Sequence, residues 1–178
     1  DRRLLDEIVQ DFEESGADLP EEKRNRLQEI SSELAKATQT FSENVLDATN
    51  AWSITASEEE ELAGLPENAK TAARHAAIEK LGEEKGANSW VFTLHAPSML
   101  PVLQYADNED LRREIWTASD RLCVDEPFQN EPLIREILKL RQERAEILGK
   151  DNFADVALAR RMAKTGGKAN AFVDEILD

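Results

Sequence analysis

The stretch WVFTLHAPSMLPVLQY, residues 90–105, decides how the rest of the chain is read. Trp90, Val91, Phe92 and Thr93 favour extended structure, whereas almost every other segment is spaced for helix. Pro97 and Pro101 have no amide hydrogen to give a strand ladder, so a strand over about 90–94 has to end near His95. So short a strand cannot stand alone, because its backbone groups would go unpaired. The economical partner is AWSITA at 51–56, where apolar and polar residues alternate for a few positions. Pro97 then suits the first turn of a short helix through SMLPVLQYA, and Pro101 lies close enough to that start to be tolerated.

Working outward, helices take over on both sides. Leu4, Leu5, Ile8, Val9 and Phe12 recur at helical spacing until Gly16 closes the segment. Asp18, Pro20 and Glu21 supply a new start, and Leu27, Ile30, Leu34, Ala37, Phe41 and Val45 continue at steps of three and four. This predicts an antiparallel helical hairpin over residues 1–50. Glu58 to Glu61 read as a solvated helix start. A helix entered at Leu65-Pro66 ends at Gly82, and GEEKGANS after it reads as a loop. Beyond Asp107, Leu111, Ile115, Ala118 and Leu122 share one helical face. Asn130 and Pro132 open a further helix lined by Leu133, Ile134, Ile137, Leu138, Ala145 and Leu148. Another helix is expected from about 152 to 163, broken at Gly166-Gly167 before a last amphipathic one. The expected fold is mainly α, one helical domain over 1–178 with a small two-stranded β element at 51–56 and 90–94. Its parts are the hairpin at 1–50, the β element with its helices at 51–106, and the helices of 107–178.

Composition narrows the function classes. Lys and Arg number 22 against 37 acids, a formal charge of −15, which repels phosphate backbones and anionic lipid. Neither nucleic acid nor membrane is therefore an expected partner. No apolar run approaches the ~18 residues of a membrane span, and no signal segment opens the chain. A lone cysteine, Cys123, cannot form an internal disulfide, which suits a reducing, cytoplasmic setting. The absence of an initial Met and the last amphipathic pattern without a stop signal suggest a segment of something longer.

A search for chemistry returns little. His75 and His95 are the two histidines. His75 is followed by Ala76 rather than glutamate, with no second histidine one turn on, so the zinc-protease signature H-E-x-x-H is missing. His95 leaves the strand and reads as a polar residue at its end rather than a base. Cys123 lies beside Arg121, which would lower a thiol pKa, but no histidine adjoins it in sequence. DNEDL at 107–111 lacks the alternating ligands of a calcium loop and reads as a helix start. Arg112-Arg113 and Arg160-Arg161 suit surface ion pairs, while Arg141 and Arg144 lie among apolar residues, so that one of them would be partly buried and paired. No residue is marked as catalytic, metal-binding or substrate-binding.

The order of landmarks says more. ANSWVFTLHAPSMLPVLQYADNEDLRREIWTASDRL, followed by NEPLIREILKLRQERAEILGKDNFADVALARRMA, resembles a passage of the thimet oligopeptidase and oligopeptidase A family of zinc metallopeptidases. NRLQEISSELAKATQTFSENVLDATNAW and LAGLPE upstream fall in the same order. Ile147, where a leucine is usual, and Lys150, where an aromatic often follows the glycine, depart from the pattern.

The resemblance implies the N-terminal, non-catalytic part of a zinc oligopeptidase. One zinc ion would sit in the full-length parent and no cofactor in this chain. Its partners would be the missing C-terminal catalytic half and short peptides admitted to a narrow channel, one wall of which this segment supplies. The WVFTL strand would then be scaffold. The rival reading is a freestanding helical module that binds peptides or proteins without catalysis.

Overall fold

The computed structural model describes residues 2–177. Backbone contacts group the chain into two compact units, Asp1–Thr40 with Pro132–Asp178, and Phe41–Glu131. The fold is mainly α with one small antiparallel sheet, as the sequence implies.

The sheet sits in the unit of residues 41–131. Strands β1 (Ser53–Ala56) and β2 (Trp90–Thr93) pair antiparallel, with Ser53 opposite Thr93 and Ala56 opposite Trp90. Trp90, Val91 and Phe92 are all buried, which explains an unbroken apolar run where a one-faced strand would alternate. Trp90 and Phe92 join the core of Leu62, Leu65, Val102, Leu111 and Ile115. Successive strand residues point to opposite faces, so Val91 turns the other way. It lines a cleft with Ala69, Ala72, Ala73 and Ala76 of the helix Glu67–Leu81 (α3). Small alanines let that helix approach the sheet closely.

Three devices steer the chain around this core. His95 occupies the N-cap of a helix at Ala96–Tyr105, and its carbonyl accepts the amides of Ser98 and Met99, each at 2.9 Å. Ser98 Oγ accepts the Thr93 amide at 3.0 Å, fastening strand end to helix start. Gly64 follows the 3-10 turn Glu59–Leu62 with φ +83°. A Cβ there would come within 2.2 Å of the Tyr105 carbonyl oxygen, so this crossing requires glycine. The neighbouring Ala63 carbonyl accepts the Asp107 amide at 2.8 Å. Asn108 then caps the helix Glu109–Asp120 (α6), its Oδ1 accepting the Leu111 amide at 3.1 Å. Leu111 and Ile115 are buried from that helix, as their spacing predicts.

The other unit contains α1 (Arg2–Ser15), most of α2 (Glu21–Ala51), and the helices Glu131–Ile147 (α7), Phe153–Leu158 (α8) and Gly166–Leu177 (α9). Leu27, Ile30 and Ala37 are buried from α2, and Ile137, Leu140 and Ala145 from α7. Arg26 forks onto Glu143 across these helices, Nε to Oε1 at 2.6 Å and Nη2 to Oε2 at 2.8 Å. Its remaining nitrogen, Nη1, reaches Glu29 and Glu33 at 3.1 Å. The carboxylates hold the Arg26 guanidinium well above its ordinary pKa, and Arg26 in turn lowers that of Glu143. Arg160 donates to Asp11 at 2.6 Å, Glu14 at 2.7 Å and the Glu7 carbonyl at 3.0 Å, fixing α1 to the turn after α8.

Several expected boundaries move. Helix α2 continues through Ala51, so β1 starts at Ser53 rather than residue 51, and β2 ends at Thr93. GEEKGANS is not all loop, because Glu83–Gly86 form a single helical turn (α4), packed so closely on α3 that a Cβ on Gly86 would meet the Ile78 backbone at 2.5 Å. The helix expected to 163 stops at Leu158. Turns closed between residues three apart follow it, Arg161 to Leu158 and Lys164 to Arg161, and Lys164 takes φ +66°. Met162 is fully exposed there, so no burial rewards another helical turn. Helix α9 starts at Gly166, whose amide is accepted by Asp155 Oδ1 at 2.8 Å.

Candidate functional site

The residues singled out by chemistry do not assemble. His95 is exposed, and its Nε2 lies 3.1 Å from Asn50 Oδ1, a side-chain partner rather than a backbone one. His75 is exposed on α3, beside a cleft that Arg74 and Trp90 share. The Arg74 guanidinium stacks over the Trp90 ring at 4.9 Å. Among the described residues, no three His, Cys, Asp or Glu side chains come together to hold a metal ion. The described residues therefore do not offer a ligand set that fits a zinc ion.

Cys123 sits just past the end of α6 with φ +61° and is half-buried. Burial pushes its thiol pKa up. The neighbouring Arg121 turns to Asp125 at 2.9 Å instead of activating the sulfur. Of the basic pairs, Arg113 forks to Glu109 at 2.7 Å and Asp110 at 2.8 Å, whereas Arg112 donates to the Ala106 carbonyl. Arg141 lies over the Phe153 ring at 5.2 Å. Arg144 keeps its Nε buried with no acceptor, so the expected ion pair does not form.

What the unit of residues 41–131 does offer is an open groove of about 740 Å³. Ala51 at the end of α2, Trp52 after it, Leu94 after β2, Ala118 near the end of α6 and Leu122 beyond it give it an apolar floor. Asp110, Arg113, Glu114, Arg121 and Asp125 give it a charged rim. Trp52, Ala118 and Leu122 also pack against the buried core, so the floor is anchored to rigid structure. Beside it, Asn130 is the buried polar residue of the unit, 3% exposed. Its Oδ1 accepts from Asn44 at 2.9 Å and its Nδ2 donates to the Phe41 carbonyl at 3.1 Å. The sequence marks Asn130 as the residue opening α7, which it precedes, but not this tether to α2.

Such a groove can hold an apolar side chain with polar groups at its edge. It contains no activated nucleophile: its one thiol is buried towards neutrality, and its best-placed guanidinium is committed to carboxylates. Binding is the chemistry it supports. None of its residues is marked by a motif, since they come from segments scattered over some eighty positions.

Comparison with known proteins adds what geometry cannot. The family model described as Peptidase family M3 matches residues 102–178. Oligopeptidase A of Salmonella typhimurium is 38% identical over 98% of this chain. The chain is similar to proteins of peptidase family M3 along nearly its whole length. The similarity to M3 proteins extends to the probable cytosolic oligopeptidase A of Arabidopsis thaliana, 37% identical over 98% of the chain. The thimet-like oligopeptidase of Dictyostelium discoideum is 26% identical over the same share. The chain spans only about a quarter of the length of these M3 relatives, 26%, 25% and 24% respectively. No helix among the described residues is long and apolar enough to cross a membrane.

Proposed function

We propose that this chain is the N-terminal scaffold of a zinc-dependent M3 oligopeptidase that hydrolyses short peptides in the cytoplasm. The observation that carries the reading is the similarity to oligopeptidase A across 98% of the chain, against only 26% of that relative's length. The zinc ligands and the glutamate that activates water lie, on this reading, in the part of the family that the chain does not span. The residues of this chain bind and shape rather than react. Their rigid helical units form part of the wall of a channel that admits peptides and keeps folded proteins out. The apolar groove of residues 41–131 favours a second reading, a non-catalytic module that grips a peptide or protein segment.

A direct assay separates catalysis from binding. The purified 178-residue chain, supplied with zinc and a quenched fluorescent peptide, is expected to release no product and to retain no stoichiometric metal after dialysis. Turnover by this chain would overturn the assignment of the catalytic groups elsewhere.

A further inference from the structure

A second cleft lies in the unit formed by the chain's two ends, with a volume of about 250 Å³. Arg24, Gln28 and Ser31 line it from one face of α2, at the four- and three-residue steps that stack side chains. The turn at Gly16-Ala17 and Arg144 of α7 complete it. In a chain with 37 acids, no carboxylate lines this cleft. Among the described residues neither arginine forms an ion pair. Arg24 has a single long contact, Nη1 to the Ala17 carbonyl at 3.4 Å. Arg144 Nε is buried without any acceptor, the one such side-chain atom among the described residues.

Buried donors are almost always satisfied, because an orphaned one loses its water without replacement. Two guanidiniums that no carboxylate faces line one cleft, and an anion held there would meet both positive charges. The geometry points to a carboxylate: we propose that Arg24 and Arg144 together form a carboxylate-binding site. A carboxylate has two coplanar oxygens that match the guanidinium fork. It also carries a single charge, so the −15 field of the chain opposes it less than a doubly charged phosphate. At physiological salt the Debye length of about 8 Å screens most of that distant repulsion. The Gln28 amide supplies a further neutral donor at the rim. The carboxylate has two sources, the C-terminal carboxylate of a peptide or an acidic side chain of a polypeptide segment.

The test follows the Nε–H resonances of Arg24 and Arg144 by NMR in the 178-residue chain at constant ionic strength. The probes are N-acetylglycine, N-acetylaspartic acid α-amide with its side-chain carboxylate free, and neutral N-acetylglycinamide. Both carboxylates are expected to shift the Arg144 resonance saturably, and the neutral amide is expected to leave it in place. Arg24→Gln, at an exposed position, is expected to weaken that binding at least tenfold with the helical spectrum unchanged. Arg144→Lys is expected to weaken it as well. Tighter binding of N-acetylglycine assigns the site to a peptide terminus, and tighter binding of the aspartate probe to an acidic side chain; either result upholds it. No saturable shift with either carboxylate, or a shift indifferent to Arg24→Gln, would overturn it.

Discussion

At Asn130 one side chain carries two bonds inside the core of its unit. Its amide donates to the Phe41 carbonyl and accepts from Asn44, and it is 3% exposed. Alanine there removes both bonds and leaves the Asn44 amide short of a partner. The expected loss is about 1–3 kcal/mol, seen as a lower urea midpoint with an unchanged m-value. Arg26 and Glu143 act differently, because both remain partly in solvent. The forked Arg26 bonds hold the Glu143 carboxyl below its ordinary range. Its folded pKa is thus lower than its unfolded one, so the stabilisation is fully present above the ordinary glutamate range. It is lost as pH falls through the folded value. The raised Arg26 value lies far above that window and leaves it unaltered. Glu143→Gln is therefore expected to flatten the acid side of a midpoint-versus-pH series while altering the neutral side in level only. An acid limb as steep as that of the parent would remove Glu143 from the account.

Among the elements, the crossing at Gly64 is the most exacting. Its φ of +83° and the 2.2 Å approach of a hypothetical Cβ to the Tyr105 oxygen leave no room for a side chain. Gly64→Ala is expected to cost about 1–3 kcal/mol from backbone conformation alone, more once the clash is relieved, and a thermal melt measures it. The same crossing marks the limit of what could be read beforehand. The β2 strand was legible because Trp90, Val91 and Phe92 crowd together and Pro97 ends them, and its partner followed from the need to pair backbone groups. Helix α6 was legible from Asn108 and the spacing of Leu111 and Ile115. The end of helix α8 was not, because Met162 sits at a plausible apolar position yet finds nothing to pack against. The turn α4 was hidden by Gly82 before it and Gly86 at its end, of which Gly86 serves close packing on α3 rather than flexibility. The groove was invisible for another reason: Trp52, Leu94, Ala118 and Phe128 meet only through tertiary packing, and no local pattern encodes that meeting. The fate of Cys123 likewise depends on burial and on Arg121 choosing Asp125, neither of which a sequence neighbour reveals.

For the whole molecule, the proposed scaffold role bears on charge, exposed surface and relatives together. The surface carries a net −15, and α1 displays Leu4, Leu5, Ile8, Val9 and Phe12 in the open, each at least 41% exposed. Helix α9 exposes Phe172, Ile176 and Leu177 in the same way. Faces of that kind are ordinarily covered, which accords with a segment spanning a quarter of the length of its M3 relatives. The central claim, that this is the scaffold of a zinc oligopeptidase whose reacting groups lie further along the polypeptide, has one most direct test. The coding DNA beyond the Asp178 codon can be read. The account predicts an uninterrupted frame that goes on to encode H-E-x-x-H, with a further glutamate on a later helix. An immediate stop codon would contradict it and leave the apolar groove, with its charged rim, as the functional centre of a binding module.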